Sequence, residues 1–531
     1  MLPCFAAEIA QQTAEVLAED EVITTNLERF VLVITVALSV ATLPQVFSWA
    51  RHIPYTLLLV ITGLGLALVD VRLVNLSPEL ILTIFLPPLL FEAAWNLKWS
   101  ALRRELVPVI LFAVLGVVIS VGGIGWGLHQ FGGMGWPIAL LIGASLAATD
   151  PVSVIALFRE LGVGERLRTL MEGESLLNDG VAVVAFGLLV GIPLGLEEFD
   201  VQVTLLRFIT FVGIGIGVGG LIGFGISYLT QRFDLPLVEQ SLTLTAAYAT
   251  YLVAEELGGS GVIGVVITGL VLGNFGSRIG MNPRTRVIVS EFWEFLAFFV
   301  NSIVFLLIGD QIEFNSLIST LPITAITIVA MIGARWVVIF GLGFLSNTVA
   351  QSPIGWRDQT VLWWGGLRGS VAIALALSVP TALPERNVII AIVFGVVLFT
   401  LLVQGLTIKP LLQGLDLLGD QPLQQRYQEL LARRVAMQRV MTYLEGIEED
   451  YPDRDPELYR YQRSLVKAQL EDVREDMDKL TNDYPNLKIL AAEQLREKLL
   501  TIEAETYAEL VRVGQLNREL SPYLETAIQE G

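Results

Sequence analysis

Apolar runs of about 20 residues, uncharged or nearly so, recur along the chain from about Arg29 to Leu415. A helix needs about 20 mainly apolar residues to cross a bilayer core, so each run predicts a span. Thirteen are expected: residues 30–50, 53–70, 77–95, 105–127, 136–158, 168–193, 203–230, 236–255, 260–275, 289–309, 318–346, 359–381 and 387–415. The pattern then changes. Residues 421–531 hold 22 acids and 15 bases and no apolar run long enough to span, which predicts a soluble, acidic, helical tail. The expected fold is an all-α membrane protein with a short segment 1–28 before a membrane domain 29–415 and the tail 421–531 after it.

Composition agrees: 53% of the 531 residues are hydrophobic, 16% are charged, and mean hydropathy is +0.64, far from the mix of a soluble globular protein. The net charge of −19 sits largely on the tail and on Glu8, Glu15, Glu19, Asp20, Glu21 and Glu28. It reports solvated ends and no nucleic-acid partner. The single cysteine, Cys4, excludes an intramolecular disulfide and an all-cysteine metal site. Met1 to Leu17 lack the basic start and long apolar core of a cleaved signal peptide, so the first span is expected to insert directly.

Positive short loops stay cytoplasmic. One set of loops carries Arg51, Lys98, Arg103, Arg104, Arg159, Arg166, Arg168, Arg232, Arg278, Arg284, Arg286 and Arg357, and the alternate set only Arg72, Arg207 and Arg386. This split of 12 against 3 predicts an N-terminus outside and a tail inside, which an odd number of spans requires.

A charge at mid-bilayer costs at least ~2.5–3.5 kcal/mol, so the few ionisable groups inside spans carry the chemistry. They are Glu92, Asp150, Glu174, Asp179, Glu294, Arg335 and Arg368. Asp150 precedes Pro151, whose ring removes a backbone donor and disfavours helix at the residue before it. The helix should break there and leave the Thr149 carbonyl and the Asp150 carboxylate beside a buried or watery cavity. In span 6, Ser175 and Asp179 are one helical turn apart on one face, and Glu174 and Asn178 share the adjacent face. The first face offers hard oxygen ligands for a small cation. The second holds a carboxylate that needs a cationic partner in low dielectric, and Arg368 is the best candidate.

Span 12 carries Gly365, Gly366 and Gly369, which favour an interruption or a close crossing. Spans 5 and 12 are seven apart, an offset that reverses orientation, so spans 1–6 and 8–13 are candidates for inverted six-helix repeats with crossing interrupted helices around a midplane site. Glu92 either faces that site or lies at the inner end of span 3. Glu294 and Arg335 suit structural or interfacial positions, and His52 and His129 are expected in loops. Proton carriage therefore falls to carboxylates.

Phe91-Glu92, Thr149-Asp150-Pro151, Glu174-Ser175-Leu176-Leu177-Asn178-Asp179-Gly180 and Gly366-Leu367-Arg368-Gly369 resemble the motifs of the NhaP-type cation:proton antiporters, relatives of the eukaryotic Na⁺/H⁺ exchangers. The resemblance covers roughly residues 29–415. It implies a homodimer with spans 1–3 and 7–10 at the interface, and a mobile bundle of spans 4–6 and 11–13 that carries the ion. By matching position it implies Asp179 as the main cation and proton carrier. Ser175, the Thr149 carbonyl and Glu92 would be Na⁺ ligands and Asp150 would act directly or through water. Asn178, Glu174 and Arg368 would hold the crossing helices together. Asn301 stands where many animal exchangers have an acid, and the tail resembles no named domain. A bacterial inner membrane is the expected location, Na⁺ (with Li⁺ as a variant) and H⁺ the expected cargo, and no cofactor is expected.

Three other readings compete. The motifs separate K⁺/H⁺ exchange poorly from Na⁺/H⁺ exchange. An intramembrane aspartyl protease would use two aspartates, but it places the second in a Gly-x-Gly-Asp setting, and here Leu177-Asn178 precede it. A passive channel supplies no reason for a buried ion-pair lock on Glu174.

Overall fold

The computed structural model describes residues 28–44, 46–47, 54–69, 77–195, 200–231, 235–277, 281–312, 314–349, 353–417, 421–450, 456–483 and Thr506. The N-terminal segment with Cys4, the loop residues Arg51, His52, Arg72, Arg232 and Arg278, and most of the tail beyond Asp483 lie outside the described residues. Every regular element among the described residues is helical.

The membrane part contains α1 (28–44), α2 (Tyr55–Leu68), α3 (Leu80–Asn96), α4 (Leu106–Gly132), α5 (Trp136–Ser145), α6 (Val152–Leu161) and α7 (Glu165–Leu189). It continues with α8 (Val201–Thr230), α9 (Pro236–Glu256), α10 (Gly261–Gly276), α11 (Pro283–Asp310), α12 (Asn315–Thr348), α13 (Trp356–Trp364), α14 (Ser370–Leu377) and α15 (Arg386–Gly414). Among the described residues five helices are each long and apolar enough to cross a membrane: α4, α8 from Gln202, α11 from Arg284, α12 and α15. Of the shorter apolar helices, α2 and α3 precede α4, α5 follows it, and α10 lies between α8 and α11.

Local chemistry sets the helix ends. The Asp200 carboxylate accepts the Gln202 and Val203 N–H groups at the start of α8. Ser260 caps α10 through the Ile263 N–H, and Asn282 caps α11 through the Thr285 N–H, with Pro283 following. Such side chains satisfy donors that have no intrahelical partner. Gly133, at φ 66°, closes α4 in the left-handed conformation that glycine adopts without strain. His129 was expected in a loop, but it lies in the last turn of α4, because the glycine-rich helix runs on to Gly132 before it meets that stop. Its ring stacks on Trp136 at 4.5 Å and Nδ1 lies 2.8 Å from the Met134 carbonyl oxygen.

Small residues set the packing distance between helices, as they do where no hydrophobic force separates helix from lipid. A Cβ on Gly63 of α2 would fall 2.1 Å from the Leu306 carbonyl oxygen of α11, and one on Gly309 would fall 2.3 Å from the Val60 carbonyl oxygen. These two helices therefore touch backbone to backbone. Gly273 brings α10 as close to Trp95 of α3, and Gly269 brings it against Ala94 and Phe91; Phe91 in turn stacks on Trp293 of α11 at 4.2 Å.

A second compact unit holds Leu161–Val163 and the described helices after Leu417. Within it α16 (Gln421–Asp450) and α17 (Pro456–Asp483) pack through Leu430, Val473 and Met477, flanked by Tyr427, Leu431 and Leu480.

Candidate ion-binding site

Two helices are interrupted, and the breaks meet. After α5 the chain turns at Leu146–Ala147, runs non-helical from Ala148 to Pro151, and resumes as α6. The break falls where the proline chemistry requires it. Asp150 Oδ1 accepts the Val152 N–H at 3.0 Å, which caps α6 and sets a carboxylate at its positive end. The second break separates α13 from α14 at Gly365–Gly369. A side chain on Gly369 has no room: its Cβ would lie 2.0 Å from Asp150 Oδ2.

The breaks are tied together by backbone and by arginine. The Asp150 N–H donates to the Leu367 carbonyl at 2.8 Å. Arg368 Nη1 donates to the carbonyls of Ala147 and Ala148, each at 2.8 Å. Broken helix ends leave carbonyls that hydrocarbon cannot satisfy, and this buried guanidinium satisfies two of them. The Arg368 backbone N–H is held in turn by Thr400 Oγ1 of α15 at 3.1 Å.

Against this crossing α7 presents the predicted polar faces. Glu174, Ser175, Asn178 and Asp179 are all buried. Thr149 Oγ1 and Ser175 Oγ share a hydrogen bond of 2.9 Å. Asn178 Nδ2 donates to Thr149 Oγ1 at 2.6 Å, and Asn178 Oδ1 accepts the Thr149 N–H at 3.3 Å. Asn178 thus locks the broken segment of span 5 to α7 with both ends of its amide. Asp179 Oδ1 is buried and finds no hydrogen-bond partner among the described residues, although the carboxylate is within electrostatic reach of Asp150 and Arg368. An acceptor oxygen buried without a donor is costly.

The expected lock between Glu174 and Arg368 is corrected. Glu174 pairs with Arg335 of α12, Nη1 on Oε1 and Nη2 on Oε2 at 3.1 Å, and the same Nη2 donates to the Leu362 carbonyl at 2.9 Å. Arg368 lies on an extended segment whose course points its guanidinium at the open end of α5. Arg335 rises from a continuous helix into space that Gly366 leaves free, since a Cβ there would meet the guanidinium at 2.8–3.0 Å. Arg335 is thus the neighbour of the site that the sequence left in a generic structural role; its charge inside a span and the bare Gly366 were its signals.

Glu92 accepts from Asn96 Nδ2 of its own helix at 2.6 Å. Among the described residues no three acidic, histidine or cysteine side chains form a cluster that could hold a metal ion. Glu294 lies exposed on α11. Asn301 is buried on α11.

Residues 23–414 match the family of transmembrane sodium/hydrogen exchangers. The chain is 62% identical over 517 residues to the Na⁺/H⁺ antiporter ApNhaP of Aphanothece halophytica, covering 97% of this chain and 99% of that one. It is 60% identical over 505 residues to the low-affinity Na⁺/H⁺ antiporter NhaS1 of a Synechocystis species, covering 94% and 96%. Its fold is similar to that of the sodium proton antiporter MjNhaP1 from Methanocaldococcus jannaschii, with a TM-score of 0.60 at 21% identity over 72% of this chain and 99% of that one. By a family match that takes in both breaks and α7, and by relatives similar along almost their whole length, this chain belongs to the sodium/hydrogen exchanger family and is a transporter rather than an enzyme.

Proposed function

We propose that the chain exchanges Na⁺ for H⁺ across a bacterial inner membrane, with Asp179 binding either ion in turn. The observation that carries this reading is the buried Asp179 oxygen without a donor, one helical turn from Ser175 and beside the break at Thr149-Asp150. Na⁺ takes oxygen ligands, and this corner supplies a carboxylate, hydroxyls and the peptide carbonyls freed by a broken helix. Ser175 and Thr149 complete the first ligand set with Asp179, while Asp150 acts directly or through water. Arg368 and Asn178 keep the crossing in register, and Glu92 is a further ligand of the cation, as the resemblance implies. The relatives carry the name Na⁺/H⁺ antiporter, which supports the same cargo here.

One cation for one proton is the expected ratio. Asn178 cannot titrate, and Glu174 is neutralised by Arg335, so Asp179 alone changes occupancy and the carrier crosses with equal charge both ways. The proposed architecture has thirteen spans in a membrane domain 29–415, two inverted repeats that place the broken spans 5 and 12 face to face, a homodimer, the segment 1–28 outside and the tail 421–531 in the cytoplasm. The unequal split of arginine and lysine among loops supports that orientation.

Purified protein in liposomes with a trapped pH dye tests the function: Na⁺ added on one side should drive protons to the other. Asp179→Asn should insert and melt like wild type yet exchange nothing, because an amide cannot trade a proton for a cation. Exchange retained by that variant would remove Asp179 from the site, and a response to K⁺ with none to Na⁺ would change the cargo.

A further inference from the structure

The non-helical residues between α13 and α14 carry backbone groups that hydrocarbon cannot satisfy. The Leu367 N–H donates to the Gly365 carbonyl at 2.8 Å, and the Leu367 carbonyl accepts the Asp150 N–H at the same distance. The Arg368 N–H goes elsewhere, to Thr400 Oγ1 of α15 at 3.1 Å. Of these three bonds only the last uses a side chain. Thr400 is wholly buried and Arg368 is 1% exposed, so bulk water cannot stand in for either. The Thr400 hydroxyl donates its own proton to the Val397 carbonyl at 2.9 Å, which fixes its rotation and leaves a lone pair for Arg368.

The shape of α15 aims this hydroxyl. Over Thr400–Gln404 the helix widens into a π-type turn, closed by the Gly405 N–H on the Thr400 carbonyl. In a regular α-helix Gly405 would stand about 140° round from Thr400, and one extra residue in the turn removes about 100° of that. Thr400, Gly405 and Ile408 then share the face that lies along the break. A Cβ on Gly405 would meet Leu367 Cδ1 at 3.8 Å, and a Cβ on Gly365 would meet Ile408 Cδ1 at 3.6 Å. Such wide turns are rare and frequent at functional sites.

We propose that Thr400 is a positioning residue that sets the affinity for Na⁺: its hydroxyl fixes the Arg368 backbone and, through the Arg368 guanidinium, the spacing of the Ala147 and Ala148 carbonyls next to Thr149 and Asp150. This rests on the reading of Asp179 as the exchange site. Thr400 itself touches no ion. Arg368 Nη1 reaches both carbonyls at 2.8 Å, so a shift of its backbone is passed to the broken end of α5. Small hard cations bind oxygen ligands at set distances, and a displaced corner therefore weakens binding. A packing role would not do this, because valine has the shape of threonine and lacks only the hydroxyl.

The test is the Na⁺ dependence of exchange in proteoliposomes at a fixed pH gradient, with melting temperature recorded for each variant. Thr400→Val should raise the apparent KM for Na⁺ several-fold with kcat close to wild type. Thr400→Ser keeps the hydroxyl and should restore the wild-type KM. Thr400→Cys offers a weak sulfur acceptor; it should fall between the two, and it supplies the reading if Thr400→Val does not insert. Thr407→Val is the control. Thr407 Oγ1 accepts the Trp364 Nε1–H at 2.9 Å and donates to the Val403 carbonyl, the same kind of bond outside the break, and its loss should leave KM unchanged. A wild-type KM in both Thr400→Val and Thr400→Cys overturns the proposal, as does a Thr400→Ser variant no better than Thr400→Val or an equal rise of KM in Thr407→Val. A fall in kcat and melting temperature at constant KM also overturns it, since that marks packing. Asp179→Asn measured alongside separates the two readings: if it is inactive while the Thr400 variants keep the wild-type KM, this inference alone falls, and if it still exchanges, the parent reading falls and takes this one with it.

Discussion

Replacing Arg335 by alanine leaves the Glu174 carboxylate without its counter-charge in a place water does not reach: 1% of the Glu174 side chain and 8% of the Arg335 side chain are exposed. Removing one partner of such a pair costs about 3–5 kcal/mol. The Leu362 carbonyl loses its donor as well, which adds about 1 kcal/mol. Arg335→Ala should therefore lower the melting temperature markedly in detergent, read by tryptophan fluorescence or by the surviving monodisperse fraction after heating. Adding Glu174→Gln removes the stranded charge but leaves an amide and a carbonyl imperfectly paired, so about half of the loss should return. The parallel pair discriminates. Arg368→Ala strands the Ala147 and Ala148 carbonyls rather than Glu174, so Glu174→Gln should give it no relief. Rescue of Arg368→Ala by Glu174→Gln, with none for Arg335→Ala, would refute the pairing and restore the lock expected from sequence.

Three further outcomes are expected. Gly369→Ala drives a Cβ into Asp150 Oδ2 and should cut exchange about tenfold or more through overpacking, whereas Gly122→Ala, where a Cβ meets nothing within 4 Å, should exchange like wild type; equal rates for the two would mean the Asp150 contact is unimportant. In vesicles clamped with K⁺ and valinomycin at fixed Na⁺ and pH gradients, the reversal point should not move between zero and strongly negative potential, and a clear shift would establish net charge movement. Truncation after Asp420 should leave exchange intact, since the tail helices form their own small core around Leu430, Val473 and Met477; a truncated protein that inserts and melts normally but carries no ion would defeat that expectation.

What could be seen in the sequence was what acts locally. Pro151 fixes the break in span 5 through its own ring, so the position of Asp150 needed no knowledge of neighbours. The helical period alone sets Ser175 and Asp179 on one face, and the glycines at 365, 366 and 369 marked the second break. The partner of Glu174 was different. Two buried arginines competed for it, and the winner lies 161 residues away, chosen by the direction in which an extended segment throws Arg368. No pattern along the chain encodes that direction.

The bond from the Asp150 N–H to the Leu367 carbonyl joins the two broken helices at the point where each is weakest, and with Arg368 it acts as a cross-brace. Neither break can unwind or close without straining the other, so the oxygens at the crossing hold their spacing as one rigid piece.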